Sequence, residues 1–167
     1  MTTKAKRGLQ RFGPDEAPML HDTGMMAIPP IDGELGAKLV EWGTTGNVVK
    51  VLFGDPEGDG PSLVWSWFGP GYPLARHSHH GADCLYYVSK GELQMGAQTV
   101  KAGEGFFLPD GAPYSYTAGP EGVEVLEFRA SSSFDIRFSE SDARWGQILE
   151  TIRDNRDQWD AMPHEVG

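Results

Sequence analysis

Three things are scarce in this 167-residue sequence: cysteine, basic residues and long apolar runs. The single cysteine, Cys84, has no partner for an internal disulfide bond, so the sequence excludes a disulfide-stapled scaffold and fits a reducing compartment. Fourteen Lys and Arg against 24 Asp and Glu give a formal net charge of −10. A field of this sign disfavours binding to nucleic acid and to anionic membrane surfaces.

No stretch approaches the roughly 18 consecutive apolar residues that a membrane-spanning helix requires. The basic start, Met1 to Arg7, is not followed by the apolar run of a signal peptide. We therefore expect a cytoplasmic protein that binds neither nucleic acid nor membrane. The length predicts one domain with appendages, large enough to bury a core of its own.

Glycine and proline are abundant instead. Twenty-two Gly and 12 Pro make up about one residue in five, which is too many for a helical bundle and too few for a disordered chain. From residue 47, apolar runs rich in β-branched and aromatic residues alternate with Gly, Pro and Asp clusters, a pattern typical of short strands. The predicted strands are 48–53, 63–68, 74–79, 84–88, 92–95, 98–100, 105–108, 114–117 and 123–129. Strands without helices between them indicate an antiparallel sandwich or barrel.

The two ends of the chain differ from this pattern. Prolines near the N-terminus break any long helix, so we expect an irregular arm there. From about 141 to 161 apolar residues recur at helical spacing, behind Ser139-x-x-Asp142, which has the form of a capping box. The predicted organisation is an N-terminal arm (1–45), an all-β unit (46–130) and a C-terminal helix and tail packed on it (131–167).

Three of the five histidines lie in one segment, Arg76-His77-Ser78-His79-His80. Alternate side chains of a strand share a face, so His77 and His79 face the same way with their Cα atoms about 6.5–7 Å apart. Two imidazoles at this separation can converge on one metal ion, and a third ligand must then come from a neighbouring strand. His80 alternates to the outside, and we expect it at the rim.

Two stretches resemble the two sequence motifs of the cupin superfamily. The first reads Gly71-x5-His77-x-His79-x4-Cys84-x6-Gly91. The second reads Gly103-x5-Pro109-x-Gly111-x2-Tyr114. The resemblance covers residues 63–129. It implies an all-β fold, the RmlC-like double-stranded β-helix barrel (jelly-roll-like), in a homodimer that binds a small organic molecule with the motif histidines inside the barrel.

The sequence departs from the cupin pattern at two ligand positions. In cupins with a full metal site, two histidines and a glutamate of the first motif and a histidine of the second bind the ion. These positions correspond here to His77, His79, Cys84 and Tyr114, so half of the ligand set is changed. The resemblance implies a divalent metal ion (Zn, Fe, Mn or Ni) held by at least His77 and His79.

Three alternatives stay open for this altered site. In the first, His77, His79 and the Cys84 thiolate bind the metal, alone or with Tyr114. In the second, only the two histidines bind it, and Cys84 and Tyr114 are hydrogen-bond donors behind them. In the third, no metal is bound, and His77 or His79 acts as a general base beside the Tyr114 hydroxyl. The aromatic residues expected to line a substrate pocket are Tyr86, Tyr116, Trp67 and Phe107.

The leading interpretation is a metal-dependent cupin enzyme in which Tyr114 and His79 are catalytic. The resemblance leaves an oxygenase (dioxygenase), lyase or isomerase type reaction open, because the metal sets the chemistry. Two other classes compete with it. One is a non-catalytic cupin that binds a small molecule, and the other is a metal-free acid–base enzyme that uses Tyr114 and His79.

Overall fold

The structure, a computed structural model, describes residues 9–29, 44–55 and 60–162. Within these ranges the chain forms ten strands and two helices. The helices are α1 (Leu20–Thr23) and α2 (Asp142–Asp160). The strands are β1 (Met26–Ala27), β2 (Asn47–Phe53), β3 (Ser62–Phe68), β4 (Pro73–Ser78), β5 (Cys84–Met95), β6 (Gln98–Lys101), β7 (Gly105–Leu108), β8 (Tyr114–Arg129), β9 (Phe134–Asp135) and β10 (Arg137–Phe138).

The 16-residue strand β8 is the centre of a curled antiparallel sheet. Its first residues (114–117) pair with β4 and its last residues (123–129) with β3, while β5 runs along its other edge. β2 extends the sheet beyond β3, β10 extends it beyond β4, and both β6 and β7 pair with β5. This arrangement confirms the predicted all-β class, and the concave face of the sheet carries the candidate site.

Two pairs of predicted strands are joined in the structure. Residues 84–88 and 92–95 belong to β5, and residues 114–117 and 123–129 belong to β8. Gly91 lies inside β5 with a φ of 72°, and the β5–β8 pairing shifts register on both sides of it. A glycine accepts this left-handed conformation without steric cost, so the break between the predicted strands 84–88 and 92–95 is a bend within a continuous strand.

The predicted C-terminal helix is confirmed to within one residue at each end, as α2. Its N-cap is Ser141, whose Oγ accepts a hydrogen bond from the backbone N–H of Arg144 at 3.3 Å. The predicted capping box, with Ser139 as the N-cap, is therefore wrong by two residues. The cap that forms satisfies one of the free N–H groups of the first turn.

One face of α2 is buried and packs against β4. The buried residues are Trp145, Ile148, Ile152 and Trp159. The Trp159 side chain is fully buried, and its Nε1–H donates to the Pro70 carbonyl at 3.1 Å. Large apolar side chains at both ends of the helix therefore hold it in place along the sheet.

Residues between β8 and α2, expected as part of a tail, contribute two short strands. β9 pairs in parallel with β1 and so connects this segment to the N-terminal arm. β10 pairs with β4, where Phe138 lies opposite His77. The sheet therefore continues beyond residue 130, and Phe138 comes to lie beside the first motif histidine.

In the ranges that the structure describes, no helix combines the length and the apolar character needed to cross a membrane. The homodimer and the cytoplasmic location stay predictions.

Candidate functional site

A cavity of about 620 Å³ is bounded by the sheet, by α2 and by residues around α1. Most of its wall is apolar. The titratable side chains that line it from β4, from the residue after β4 and from β8 are His77, His79, Tyr114, Tyr116, Glu127 and Arg129. A mainly apolar cavity with a few convergent polar groups is the usual form of a small-molecule site.

Strand pairing brings these polar side chains to one face. His77 of β4 lies opposite Tyr114 of β8, and residues directly opposite in an antiparallel pair share a face. Glu127, near the other end of β8, lies opposite Tyr86 of β5. Because side chains alternate along each strand, Arg129 faces the same way as Glu127. The site therefore combines both ends of β8.

The backbone fixes the tautomer of both histidines. His77 Nδ1 lies 2.7 Å from the Ala75 carbonyl oxygen, and His79 Nδ1 lies 2.7 Å from the Asp135 carbonyl oxygen. A carbonyl oxygen only accepts, so each Nδ1 carries the proton and donates it. In the neutral imidazoles the lone pairs are then on the two Nε2 atoms.

The Tyr114 hydroxyl lies between these two nitrogens. Its Oη is 2.9 Å from His77 Nε2 and 3.4 Å from His79 Nε2. Since His77 Nε2 can only accept, Tyr114 donates its one proton there and receives a hydrogen bond from the Tyr86 hydroxyl at 2.7 Å. His79 Nε2 receives no proton from Tyr114 and keeps its lone pair on the cavity wall.

Burial sets the charge of these groups. It lowers the pKa of His77, and it lowers the pKa of His79 to about 4. It also raises the pKa values of Tyr114 and Tyr86 well above that of a free phenol. At neutral pH the site thus holds two neutral imidazoles and two neutral phenols, which can accept and donate hydrogen bonds respectively.

A buried ion pair lies on the same wall. The Arg129 Nη2 group donates to Glu127 Oε2, and the Ser66 hydroxyl donates to Glu127 Oε1 at 2.5 Å. Burial alone would raise the pKa of Glu127, yet Arg129 and Ser66 together hold that pKa below its usual value. Burial likewise opposes the charge of Arg129, but Glu127 raises the pKa of the guanidinium. Both groups are therefore charged.

The charges of this pair act differently on the two histidines. At His77 the effect of Glu127, which raises the pKa, is larger than that of Arg129, which lowers it. At His79 the order is reversed: after burial, the charge of Arg129 is the next largest cause that lowers the pKa, and the opposing effect of Glu127 is smaller. The pair therefore favours an anion over a cation beside His79, and the opposite beside His77.

Cys84 faces the same way as Arg129, which lies opposite it in the β5–β8 pairing. Its buried Sγ contacts the Leu85 carbonyl at 3.8 Å, and burial raises the pKa of the thiol to about 12, an effect that a hydrogen bond with Tyr86 partly counters. Metal ligation requires the thiolate, so an ion would have to lower this pKa in order to bind Cys84. Across the described ranges, no three or more His, Cys, Asp or Glu side chains are grouped so that they could hold a metal ion. The donor set fits at most a two-histidine centre with Tyr114.

The four predicted pocket aromatics lie in different places. Tyr116 lines the cavity, and Tyr86 lies behind Tyr114, stacked on Phe106. Trp67 is buried but alternates with the cavity-lining residues of β3, so it lies on the other face of that strand. Phe107 is 55% exposed because it alternates with the inward Phe106. Trp67 and Phe107 therefore do not line this cavity.

Ser66, Glu127 and Arg129 are the site residues that the sequence analysis missed. The signal available for them was the pair of opposite charges at alternate positions in an otherwise apolar strand, Glu127-Phe128-Arg129. Alternation puts both charges on one face but does not say which face is buried.

No family model matches the chain, and no curated protein matches it. Among solved structures, it is similar to a chain from the crystal structures of the DMSP lyases RdDddP and RnDddQII, at 21% identity and a TM-score of 0.48, over 56% of this chain and 53% of that one. It is similar to an RmlC-like cupin from Shewanella frigidimarina NCIMB 400, at 22% identity and a TM-score of 0.45, over 52% and 78% of the two chains. A third similar structure is that of salicylate 1,2-dioxygenase from Pseudoaminobacter salicylatoxidans, at 13% identity and a TM-score of 0.48, over 62% of this chain and 33% of that one.

The chain spans about half the length of the DMSP lyase chain that it matches. In the present structure the first motif runs through β4 and β5, and the second runs from the turn before β7 to the first residue of β8. The curled antiparallel sheet and the place of both motifs in its strands are those expected from the resemblance to the cupin superfamily.

Proposed function

We propose that this protein is an enzyme that acts on a small organic molecule in the cavity by proton transfer, with His79 as the general base. The observation that carries the proposal is the lone pair of His79 Nε2. It lies on the cavity wall, its tautomer is held by the Asp135 carbonyl, and the nearby Tyr114 proton is donated to His77. With a pKa of about 4, the base stays unprotonated at neutral pH. Because so weak a base removes a carbon-bound proton only when the neighbouring carbonyl is polarised, the proposal depends on a hydrogen bond from Tyr114 to that carbonyl oxygen.

The hydrogen bonds from Tyr86 to Tyr114 and from Tyr114 to His77 assign roles to the neighbours of His79. His79 Nε2 takes a proton from a carbon next to a carbonyl group, and the electron pair left behind moves onto the carbonyl oxygen. The Tyr114 hydroxyl turns from His77 to that oxygen and donates a hydrogen bond, while Tyr86 keeps donating to Tyr114 Oη. Tyr114 and His79 are then the catalytic residues, and His77 and Tyr86 position the Tyr114 hydroxyl.

A two-histidine metal centre is the second candidate, and one observation favours it. Each imidazole donates Nδ1–H to a backbone carbonyl and turns Nε2 toward the same hydroxyl, which is how metal-ligating histidines are commonly held. His77, His79 and Tyr114 would hold the divalent ion (Zn, Fe, Mn or Ni), which would act as a Lewis acid on a substrate oxygen. Beside His79 the charge of Arg129 outweighs that of Glu127 and opposes a cation, so we rank this candidate second.

The test is hydrogen–deuterium exchange at carbon, measured by NMR in D2O with a panel of small ketones and oxo acids. The protein is dialysed against EDTA, and the exchange is measured before and after addition of Zn, Fe, Mn or Ni. We expect EDTA-resistant exchange in wild type, a loss of about 10–1000-fold in Tyr114→Phe, and a loss of at least that size in His79→Asn. Circular dichroism checks that each variant is folded.

Tyr86→Phe is the matched control, because it removes one phenol hydroxyl from the same set of hydrogen-bonded side chains and leaves both Tyr114 and the base His79 in place. Its expected loss is smaller than that of Tyr114→Phe, since the Tyr114 hydroxyl that donates to the substrate oxygen is still present. Exchange that stops in EDTA and returns with one metal would replace the proposal by the metal centre. Binding of panel compounds to wild type with no exchange would identify a non-catalytic binding protein.

A further inference from the structure

Arg129 has hydrogen-bonding capacity that the described residues do not use. It lines the cavity, is 4% exposed, and donates from Nη2 to Glu127. Its Nε and Nη1 atoms have no hydrogen-bond partner in the part of the chain that the structure describes. A guanidinium has five N–H donors, and those on Nε and Nη1 make up three of the five.

Such a deficit is costly. A buried N–H of a charged group without an acceptor costs more free energy than a neutral one, and native proteins rarely leave buried donors unpaired. Glu127 does not relieve the deficit, because Arg129 donates to it from Nη2 alone and leaves Nε and Nη1 unpaired. The missing acceptor must come from outside these residues.

The guanidinium lies close to the proposed base. Its Cζ atom is 4.2 Å from the centroid of the Phe134 ring, and the His79 ring packs edge-on against the same ring with a centroid distance of 5.5 Å. Arg129 and His79 thus contact the same aromatic side chain, and both line the cavity. A ligand group bound to Arg129 would therefore be separated from the His79 imidazole by no more than the width of that ring.

The rest of the wall requires an apolar ligand body. The apolar side chains facing the cavity include Phe68, Leu74, Phe138, Trp145, Ile148 and Ile152. A volume of about 620 Å³ exceeds that of a lone inorganic anion and lies within the range of small-molecule sites.

We infer that the cavity binds a small organic carboxylate, whose oxygens accept from Arg129 and whose apolar or aromatic body lies against α2 and β10. One arginine has enough donors for two carboxylates, so Glu127 stays paired while the ligand takes the free N–H groups. The inference rests on the proposed function in taking this cavity as the reaction site. It adds the substrate class: an acid whose reacting carbon lies near its carboxylate.

The test compares 2-naphthoate with 2-naphthamide, which has nearly the same shape and no charge. Dissociation constants are measured by isothermal titration calorimetry at pH 7, with sodium sulfate as the probe for a simple anion. In wild type we expect the acid to bind at least tenfold more tightly than the amide, and sulfate to bind weakly because it lacks the apolar body. Equal binding of acid and amide, or no binding of either, would overturn the inference.

Two variants locate the preference at Arg129. Glu127→Gln/Arg129→Gln removes both charges together, so no unpaired charge stays buried, and the acid and amide should then bind equally. Arg129→Lys keeps the charge but loses the planar fork, and we expect acid binding about tenfold weaker than in wild type. If the double variant keeps the full preference for the acid, the inference is contradicted. If the double variant does not fold, an Arg129→Lys variant that binds the acid as tightly as wild type contradicts the inference instead.

The same variants separate this inference from the proposed function. Tyr114→Phe and His79→Asn should still prefer the acid, because neither contributes the carboxylate's donor. If they lose that preference while the Arg129 variants keep it, the ligand anchor is elsewhere. If carboxylate preference follows Arg129 but His79→Asn exchanges deuterium like wild type, the proposed function fails and the carboxylate site stands.

Discussion

Lowering the pH should destabilise this fold through His79, and the size of the effect tests where its imidazole lies. The unfolded imidazole has a pKa of 6.5, and burial lowers the pKa in the folded chain to about 4. Between these values the unfolded chain binds a proton that the folded chain does not. The free energy of unfolding therefore contains a His79 contribution that is complete above pH 6.5 and is lost as the pH falls toward 4.

The two pKa values give the magnitude. Relative to pH 8, the His79 contribution to the free energy of unfolding falls by about 2 kcal/mol at pH 5 and about 3 kcal/mol at pH 4. His77 acts in the same direction, because burial lowers its pKa as well. Glu127 acts at lower pH: its folded pKa lies below 4.5, so its contribution is present above 4.5 and is lost only below that value.

Urea unfolding of wild type and His79→Asn at pH 8, 7, 6 and 5, in EDTA, measures this contribution. Asparagine can keep the hydrogen bond to the Asp135 carbonyl through its amide N–H, but it does not titrate. Between pH 8 and pH 5, the free energy of unfolding of wild type should fall by about 2 kcal/mol more than that of the variant. If the free energies of unfolding of the two proteins change equally with pH, at equal m-values, the imidazole is not buried as described. The assignment of His79 as a base would then be unsupported.

Two further substitutions test the packing around the site. Cys84→Ala should lower the free energy of unfolding in urea by about 1–2 kcal/mol, as the loss of a small buried group does. It should leave the rate of deuterium exchange within about threefold of that of wild type, and a tenfold loss would show that the thiol takes part in the reaction. Gly46→Ala should cost about 3 kcal/mol, because Gly46 has a φ of 73° and an added Cβ would lie 2.1 Å from the Trp159 ring. Gly96→Ala is its control, since φ is 59° there and a Cβ would meet nothing within 4 Å, so it should cost about 1 kcal/mol; equal losses in the two variants would show that Trp159 does not pack as described.

Much of the fold follows from local patterns, which is why the sequence predicts it. Alternating apolar residues and glycine-rich breaks mark the strands, and alternation gives Cys84 and Tyr86 the buried positions and Leu85 and Tyr87 the exposed ones. The bend at Gly91 is different, because a glycine with positive φ suits both a turn and a bulge. Only the pairing of β5 with β8 on both sides of the residue decides between them.

The end of β8 shows why the ion pair could not be predicted. In Glu127-Phe128-Arg129, the hydrophobic pattern places Phe128 in the core and the two charges in solvent. The structure has the opposite arrangement: Phe128 is 46% exposed, and Glu127 and Arg129 are 6% and 4% exposed. The charges are accepted inside because Ser66 on another strand pairs with Glu127 and the Phe134 ring covers the guanidinium, contacts that join distant parts of the chain.

This inverted burial is itself an argument for function. A buried ion pair contributes little net stability compared with apolar residues of the same volume, because desolvation offsets most of the attraction. Exposing the aromatic ring of Phe128 adds a further loss, since its apolar surface stays in water. Stability alone would therefore favour the reverse placement. What the observed placement adds is a fixed positive charge with unpaired N–H groups on a residue that lines an apolar cavity, which is the feature that the inferred carboxylate ligand requires.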